Sequence, residues 1–178
     1  MPQLDVRTAQ CLIYTYKEGL LSLVAHDLKL RVTRFSIDVD RAAGKVEARF
    51  DAGSLVVDCA MRDGREAPAA LSAKDRRDIE ENVAKDVLDP RRFPDIRFAS
   101  ERVVVEADGA RVAGRLVIKG RERSLELSAR RQGEQLVLET RLHQPDYGIK
   151  PFSAILGTLR IKPDITVRLV VPAAVLAP

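Results

Sequence analysis

"DLKLRVTRFSIDVD" (residues 27–40) alternates apolar and polar side chains, but it changes phase midway. Leu28, Leu30 and Val32 hold even positions; Phe35, Ile37 and Val39 hold odd ones. A period of two marks a strand with one dry face. A one-residue slip turns every later side chain to the other face unless a bulge or bend absorbs it. A bulge is therefore expected near Thr33-Arg34. Long strands with bulges are how sheets curl toward closure, so the stretch points to a curved sheet.

The alternation recurs along the chain. Val46, Ala48, Phe50 and Ala52 share one face of "KVEARFDA". In "RVAGRLVIKG", Val112, Gly114, Leu116 and Ile118 oppose Arg111, Arg115 and Lys119. Leu125, Leu127 and Ala129 form the dry face of "SLELSARR", and Leu136, Leu138, Thr140 and Leu142 that of "QLVLETRL". Ile165, Val167, Leu169 and Val171 do so in "DITVRLVV". One dry face and one charged face indicate antiparallel rather than buried parallel sheet. Short Gly-bearing turns at 41–45, 107–110, 119–123 and 131–135 read as hairpins, the last three joining a meander from Glu101 to Leu142. With Gln10–Lys17 and Arg97–Ala107 the count is about eight strands. The expected class is all-β with one helix, an eight-stranded antiparallel up-and-down barrel. A two-sheet sandwich is the rival.

The helix lies between residues 72 and 88. Ser72 suits an N-cap, with Asp75 in the acidic capping position. Ile79, Val83, Val87 and Leu88 make one apolar stripe, and Pro90 and Pro94 end it. Such a helix packs on or across a barrel end.

The chain has 178 residues, a length that suits one domain over 1–178 with a core that needs no staples. Cys11 and Cys59 are too few for a disulfide framework and read as reduced core thiols. The net charge is +4, but the basic residues are spread and interleaved with acids, and aromatics are only 4%. A nucleic-acid footprint would cluster cations with stacking aromatics, so no nucleic-acid partner is expected. No apolar run approaches a membrane span of ~20 residues, so no stable membrane insertion is expected. The opening "MPQLDVRTAQ" has no apolar signal region. The expected compartment is cytoplasmic, or periplasmic if a leader has been removed.

Chemistry-bearing motifs are absent: no GxSxG, P-loop, GxGxxG or HExxH occurs. His26 and His143 show no metal-ligand spacing, so neither metal nor cofactor is expected.

Four passages together resemble the YceI-like family. "DPRRFPDIRFASERV" (89–103) is similar to its helix end followed by a strand opening in Phe-x-Ser. "GRLVIKGRERSLEL" (114–127) is similar to its strand–turn–strand passage, and "DYGIKPFSAILGTLRIKPDITVRLVV" (146–171) to its closing part. "HDLKLRV" (26–32) resembles a subgroup in which His-Asp precedes a long strand. The resemblance runs from about Cys11 to Val171. It implies a lipocalin-like barrel that encloses an isoprenoid or other lipid-like molecule.

Strand parity nominates an inward ligand-binding set: Leu28, Leu30, Phe50, Leu116, Ile118, Leu125, Leu138 and Leu169. The small inward residues Ala48, Gly114, Ala129 and Thr140 would leave space; a filled core is the alternative. His26 and Asp27 are expected at one barrel end, near a ligand head group. "HQPDYGIKPFSAILG" (143–157) is too apolar for an open loop and too broken by Pro and Gly for a long helix or central strand. It is expected to fold over the mouth, with Tyr147, Phe152 and Ile155 toward the ligand and Lys150 outside, facing an anionic head. The alternative is a short edge strand that seals the barrel or meets a second subunit, which leaves a homodimer open. The expected function is non-enzymatic carriage of a long apolar ligand. The other readings are a protein–protein module using the 143–157 loop or the 72–88 helix, and a lipid-acting enzyme with His26 beside Asp27.

Overall fold

A computed structural model describes residues 3–19 and 26–176. Its strands are β1 (Gln3–Leu4), β2 (Gln10–Thr15), β3 (Lys17–Glu18), β4 (Asp27–Val32), β5 (Phe35–Asp40), β6 (Lys45–Asp51), β7 (Leu55–Arg62) and β8 (Arg65–Ala67). After helix α1 (Ala73–Asn82) come β9 (Asp95–Glu106), β10 (Gly109–Ile118), β11 (Arg121–Gln132), β12 (Gln135–His143), β13 (Ser153–Ala154), β14 (Leu159–Ile161) and β15 (Asp164–Pro172). Among the described residues every strand pairing is antiparallel. The meander is present: β9, β10, β11 and β12 pair in succession, and β15 and β2 continue the sheet.

The expected count of eight strands is corrected. The main sheet has 12 strands, in the order β1-β5-β6-β9-β10-β11-β12-β15-β2-β4-β7-β8, and β13-β14-β3 form a small second sheet. One expected run is divided: 27–40 breaks at Thr33-Arg34 into β4 and β5. β7, which follows β6 across a second bend at 52–54, is not among the expected strands. The short strands β1 and β8 add the rest.

The two bends lie side by side and bond to each other. Ser54, only 2% exposed, accepts from the Arg34 backbone N–H through its hydroxyl (3.0 Å) and donates to the Asp51 carbonyl (2.8 Å). Its own carbonyl accepts from the Thr33 N–H (3.0 Å) and the Thr33 hydroxyl (2.8 Å). Asp51 N–H donates to the Arg34 carbonyl (3.0 Å). The bend absorbs the phase slip: Leu28, Leu30 and Val32 before it and Phe35, Ile37 and Val39 after it are all buried. Because β4 pairs with β2 and β7 while β5 pairs with β6 and β1, one continuous run joins distant parts of the sheet order. The sheet is curled and barrel-like as a result.

One further device tightens the curl. The β9–β10 register shifts between Ala113 and Gly114. A Cβ on Gly114 would lie 2.3 Å from the Ala99 carbonyl oxygen and 2.7 Å from Phe98 Cζ. Glycine is needed there for close approach, not for an unusual φ. Gly114 thus lets strand and ring close in; it does not open interior space.

The interior is filled unevenly. One cluster gathers Leu4, Cys11, Phe35, Ile37, Leu136 and Val175, with Phe35 and Phe50 rings 5.7 Å apart. A second centres on Phe98, Leu116, Ile118, Leu142, Tyr147 and Ile149, and a third on Leu28, Leu30, Val57, Ala60 and Leu71. Both cysteines are free and buried. Burial pushes the Cys11 thiol up to about 12, so it stays protonated and unreactive.

Two substitutions test these devices. Ser54→Ala removes a buried hydroxyl that serves both bends and is expected to cost about 1–2 kcal/mol in urea unfolding. Gly114→Ala forces a methyl into backbone and is expected to cost about 1–3 kcal/mol. Unchanged midpoints in either would show that the curl does not depend on that residue.

Candidate ligand cavity

Between the three core clusters lies a cavity of about 530 Å³. Its first wall is built by parity. Cys11, Ile13 and Thr15 of β2 and Leu28, Leu30 and Val32 of β4 all point inward, and Thr15 pairs with Leu28 across the ladder. Phe50 and Leu55 flank the bend, and Ile96, Leu116 and Ile118 come from β9 and β10. Leu142, Ile165 and Val167 come from β12 and β15.

The helix supplies the next wall. The Ser72–Asp75 capping box forms as the sequence indicates, starting α1 at Ala73. Past Asn82 the backbone widens into i→i+5 bonding over Val83–Leu88, shown by Asp89 N–H donating to the Ala84 carbonyl (3.0 Å). In that geometry positions four and five apart straddle one face. Val83, Val87 and Leu88 therefore all reach the cavity, together with Ile79 and Leu71. Two polar ties hold the helix. The Glu80 carboxylate accepts the Val57 N–H (2.8 Å) beside the register shift in β4–β7, and Lys119 Nζ donates to the Val87 carbonyl (2.9 Å).

The segment after β12 completes the enclosure. A short turn over Gln144–Tyr147 ends at Gly148 with φ +67°. Gln144, Ile149 and Phe152 then reach the cavity, followed by Leu159, Arg160 and Ile161. Ser153–Ala154 is also a short strand paired with β14. The stretch 143–157 thus combines a cavity wall with a short strand.

Polar groups are sparse and specific. The Thr15 hydroxyl is buried and has no hydrogen-bond partner among the described residues. Gln144 is buried, and its amide donates to the Lys162 carbonyl (3.0 Å). His26 and Asn82 are half-buried on the wall, and the exposed Asp75 and Asp78 of α1 stand at its border. Hydrogen bonds from the Ser72 hydroxyl and backbone hold the Asp75 carboxyl below its ordinary range, and the nearby Lys74 ammonium adds to this. Among the described residues no three His, Cys, Asp or Glu side chains converge as a metal site requires. No helix among them is long and apolar enough to cross a membrane.

Of the residues singled out from sequence, Leu28, Leu30, Phe50, Leu116, Ile118, His26 and Phe152 line the cavity. Leu125 packs against the Phe98 cluster and Leu169 against the Phe35 cluster, outside the lining. Leu138 is half-buried opposite Leu169, also outside it. Tyr147 is 3% exposed and sits in the Phe98 cluster rather than at the cavity. Asp27, of opposite parity to Leu28, accepts the Lys17 N–H (2.8 Å) and is not in the lining. Lys150 is exposed and apart from the lining. The Ile155 side chain lies outside the described residues. His143 meets Asp164 (2.7 Å) at an exposed strand end. The small residues Ala48, Gly114, Ala129 and Thr140 do not reach the cavity either.

Sequence reasoning missed Ile13, Thr15 and the helix stripe as wall residues. The signals were present: 11/13/15 share a parity, and Ile79/Val83/Val87/Leu88 share a face. The sequence assigned that face to docking; the structure shows it bordering open space.

Comparison with solved structures shows the same fold at low identity. The crystal structure of Burkholderia cenocepacia BcnA aligns with a TM-score of 0.64 at 13% identity, covering 96% of this chain and 99% of that one. A polyisoprenoid binding domain from Saccharophagus degradans, implicated in plant cell wall breakdown, aligns at 0.58 and 13% identity, covering 93% and 94%. The Campylobacter jejuni YceI protein aligns at 0.58 and 15% identity, covering 84% and 85%. No curated protein matches the sequence significantly. The model of the YceI-like domain matches residues 15–173, nearly the whole curled sheet with its helix, and the chain belongs to that family.

Proposed function

We propose that this protein binds and carries an isoprenoid or other lipid-like molecule in its cavity, without acting on it chemically. The observation that carries the reading is a volume of about 530 Å³ walled by aliphatic side chains from sheet, helix and the 144–161 segment. Membership of the YceI-like family supports it, as does the fold shared with the polyisoprenoid binding domain. The energetics are sufficient. Each buried methylene contributes about 0.8 kcal/mol, so a chain of fifteen carbons gains over ~10 kcal/mol before ordering costs.

In this reading the ligand enters past Phe152. Phe152 borders the cavity from a segment held by two-residue pairings, Ser153 with Arg160 and Ala154 with Leu159. In this reading its ring covers the ligand. His26, half-buried and on the wall, positions the ligand rather than taking a proton from it.

Native mass spectrometry of protein purified without detergent should show a co-purifying species, recovered by organic extraction as an apolar molecule. Protein that emerges free of ligand and takes up no apolar probe would refute carriage. Val83→Trp should fill the cavity from the helix side, cutting probe affinity at least tenfold with folding retained. Phe152→Ala should speed ligand release several-fold with little change in the unfolding midpoint; a large loss of stability with unchanged release would contradict the covering role.

A further inference from the structure

Size and charge restrict what the cavity can hold, and the inference drawn from them rests on the binding role proposed above. A volume of about 530 Å³, at roughly 30 Å³ for each water-sized group in a condensed phase, accommodates about eighteen non-hydrogen atoms. That is the size of one short chain with a small head, well below a long polyisoprenoid.

The polar groups say what the head is. Thr15 Oγ1 is buried on the cavity wall and, among the described residues, unpartnered. Buried hydroxyls almost always have partners, and one left unpaired beside open space calls for an oxygen or nitrogen from the occupant. His26 borders the same cavity, two residues before Leu28, the cross-strand partner of Thr15. Among the described residues the wall offers an anion no unpaired guanidinium or ammonium: Arg160 faces Glu18 at 4.0 Å. Of the carboxylates that border the cavity, Asp51 is paired with Arg34 and Asp78 with Lys74, which leaves Asp75. Asp75 is held ionised by its capping hydrogen bonds to Ser72. A phosphate leaving water for this wall would find no free cation to replace its hydration, with the ionised Asp75 nearby.

We infer that the cavity selects a single-chain amphiphile of about eighteen non-hydrogen atoms with an uncharged hydroxyl or carbonyl head bound at Thr15, and rejects the same chain carrying a phosphate. Lys150, exposed and apart from the lining, gives an anionic head no partner inside.

The test is a titration of delipidated protein with trans-prenols of ten, fifteen, twenty and forty carbons, read by displacement of the neutral probe N-phenyl-naphthylamine. The fifteen-carbon monophosphate and the matching hydrocarbon are run beside them. Each buried methylene is worth about fourfold in affinity. Affinity should therefore climb at least about thirtyfold from ten to fifteen carbons, then change less than about threefold from twenty to forty. The monophosphate should bind at least about tenfold more weakly than the alcohol. Thr15→Val should weaken the alcohol about fivefold and leave the hydrocarbon within about twofold. If that variant does not fold, the wild-type series decides alone. Continued gain of about tenfold or more from twenty to forty carbons, or a monophosphate as tight as the alcohol, overturns the size or charge selection while leaving carriage intact. If no prenol of any length displaces the probe, carriage itself fails and the selection falls with it.

Discussion

The paired bends at Thr33-Arg34 and 52–54 set the geometry on which the rest depends. A strand that alternates without interruption keeps one face toward one partner set and runs flat. Here two neighbouring runs change direction together, and the buried Ser54 holds both through its hydroxyl and carbonyl. Each run then serves two sections of the sheet: in the first, β4 pairs with β2 and β7 and β5 with β1 and β6; in the second, β6 pairs with β5 and β9 and β7 with β4 and β8. Backbone groups freed at a bend must find partners, since an unpaired buried N–H or carbonyl is costly. One serine meets that need at both places.

A curled sheet with an inward apolar face does not by itself leave a cavity. The Phe35 and Phe98 clusters fill much of the interior with side chains. The helical segment that borders the open volume is tied to the barrel by hydrogen bonds at Glu80 and Lys119. Its widened turn spreads Val83, Val87 and Leu88 along the border instead of driving one side chain inward. The helix is a wall whose position is fixed at its back by hydrogen bonds. This suits a binding role, in which the pocket is formed before the ligand arrives.

Electrostatics divides the molecule in the same sense. Ion pairs such as Arg49–Asp95 and Arg115 with Glu101 and Glu122 lie on the outer, exposed faces of strands, where each is worth little to stability. They keep the outer surface polar. Among the described residues the interior keeps few polar groups: Ser54 at the bends, Gln144 and the Thr15 hydroxyl, with His26 half-buried at the cavity wall. For the occupant proposed above, the contrast favours one orientation, chain among the aliphatic groups and head at the polar ones.

Local periodicity determined much of this protein before any contact was considered. The period of two assigned strand faces, the phase slip in "DLKLRVTRFSIDVD" located the bend, and Ser72 with Asp75 located the helix start, because each depends on residues adjacent in the chain. The strand count did not follow, because whether a bend divides a ladder depends on partners far away in sequence. Parity likewise told which residues face inward but not at what depth. Leu28, Leu30 and Leu116 border the cavity, while Leu125 and Leu169, of the same inward kind, are packed against neighbouring side chains. Tyr147 and Phe152 lie five residues apart in one apolar stretch, yet the first is core and the second is wall. Only the tertiary structure decided these, because emptiness is a property of the space between elements, and no residue carries it in its own local pattern.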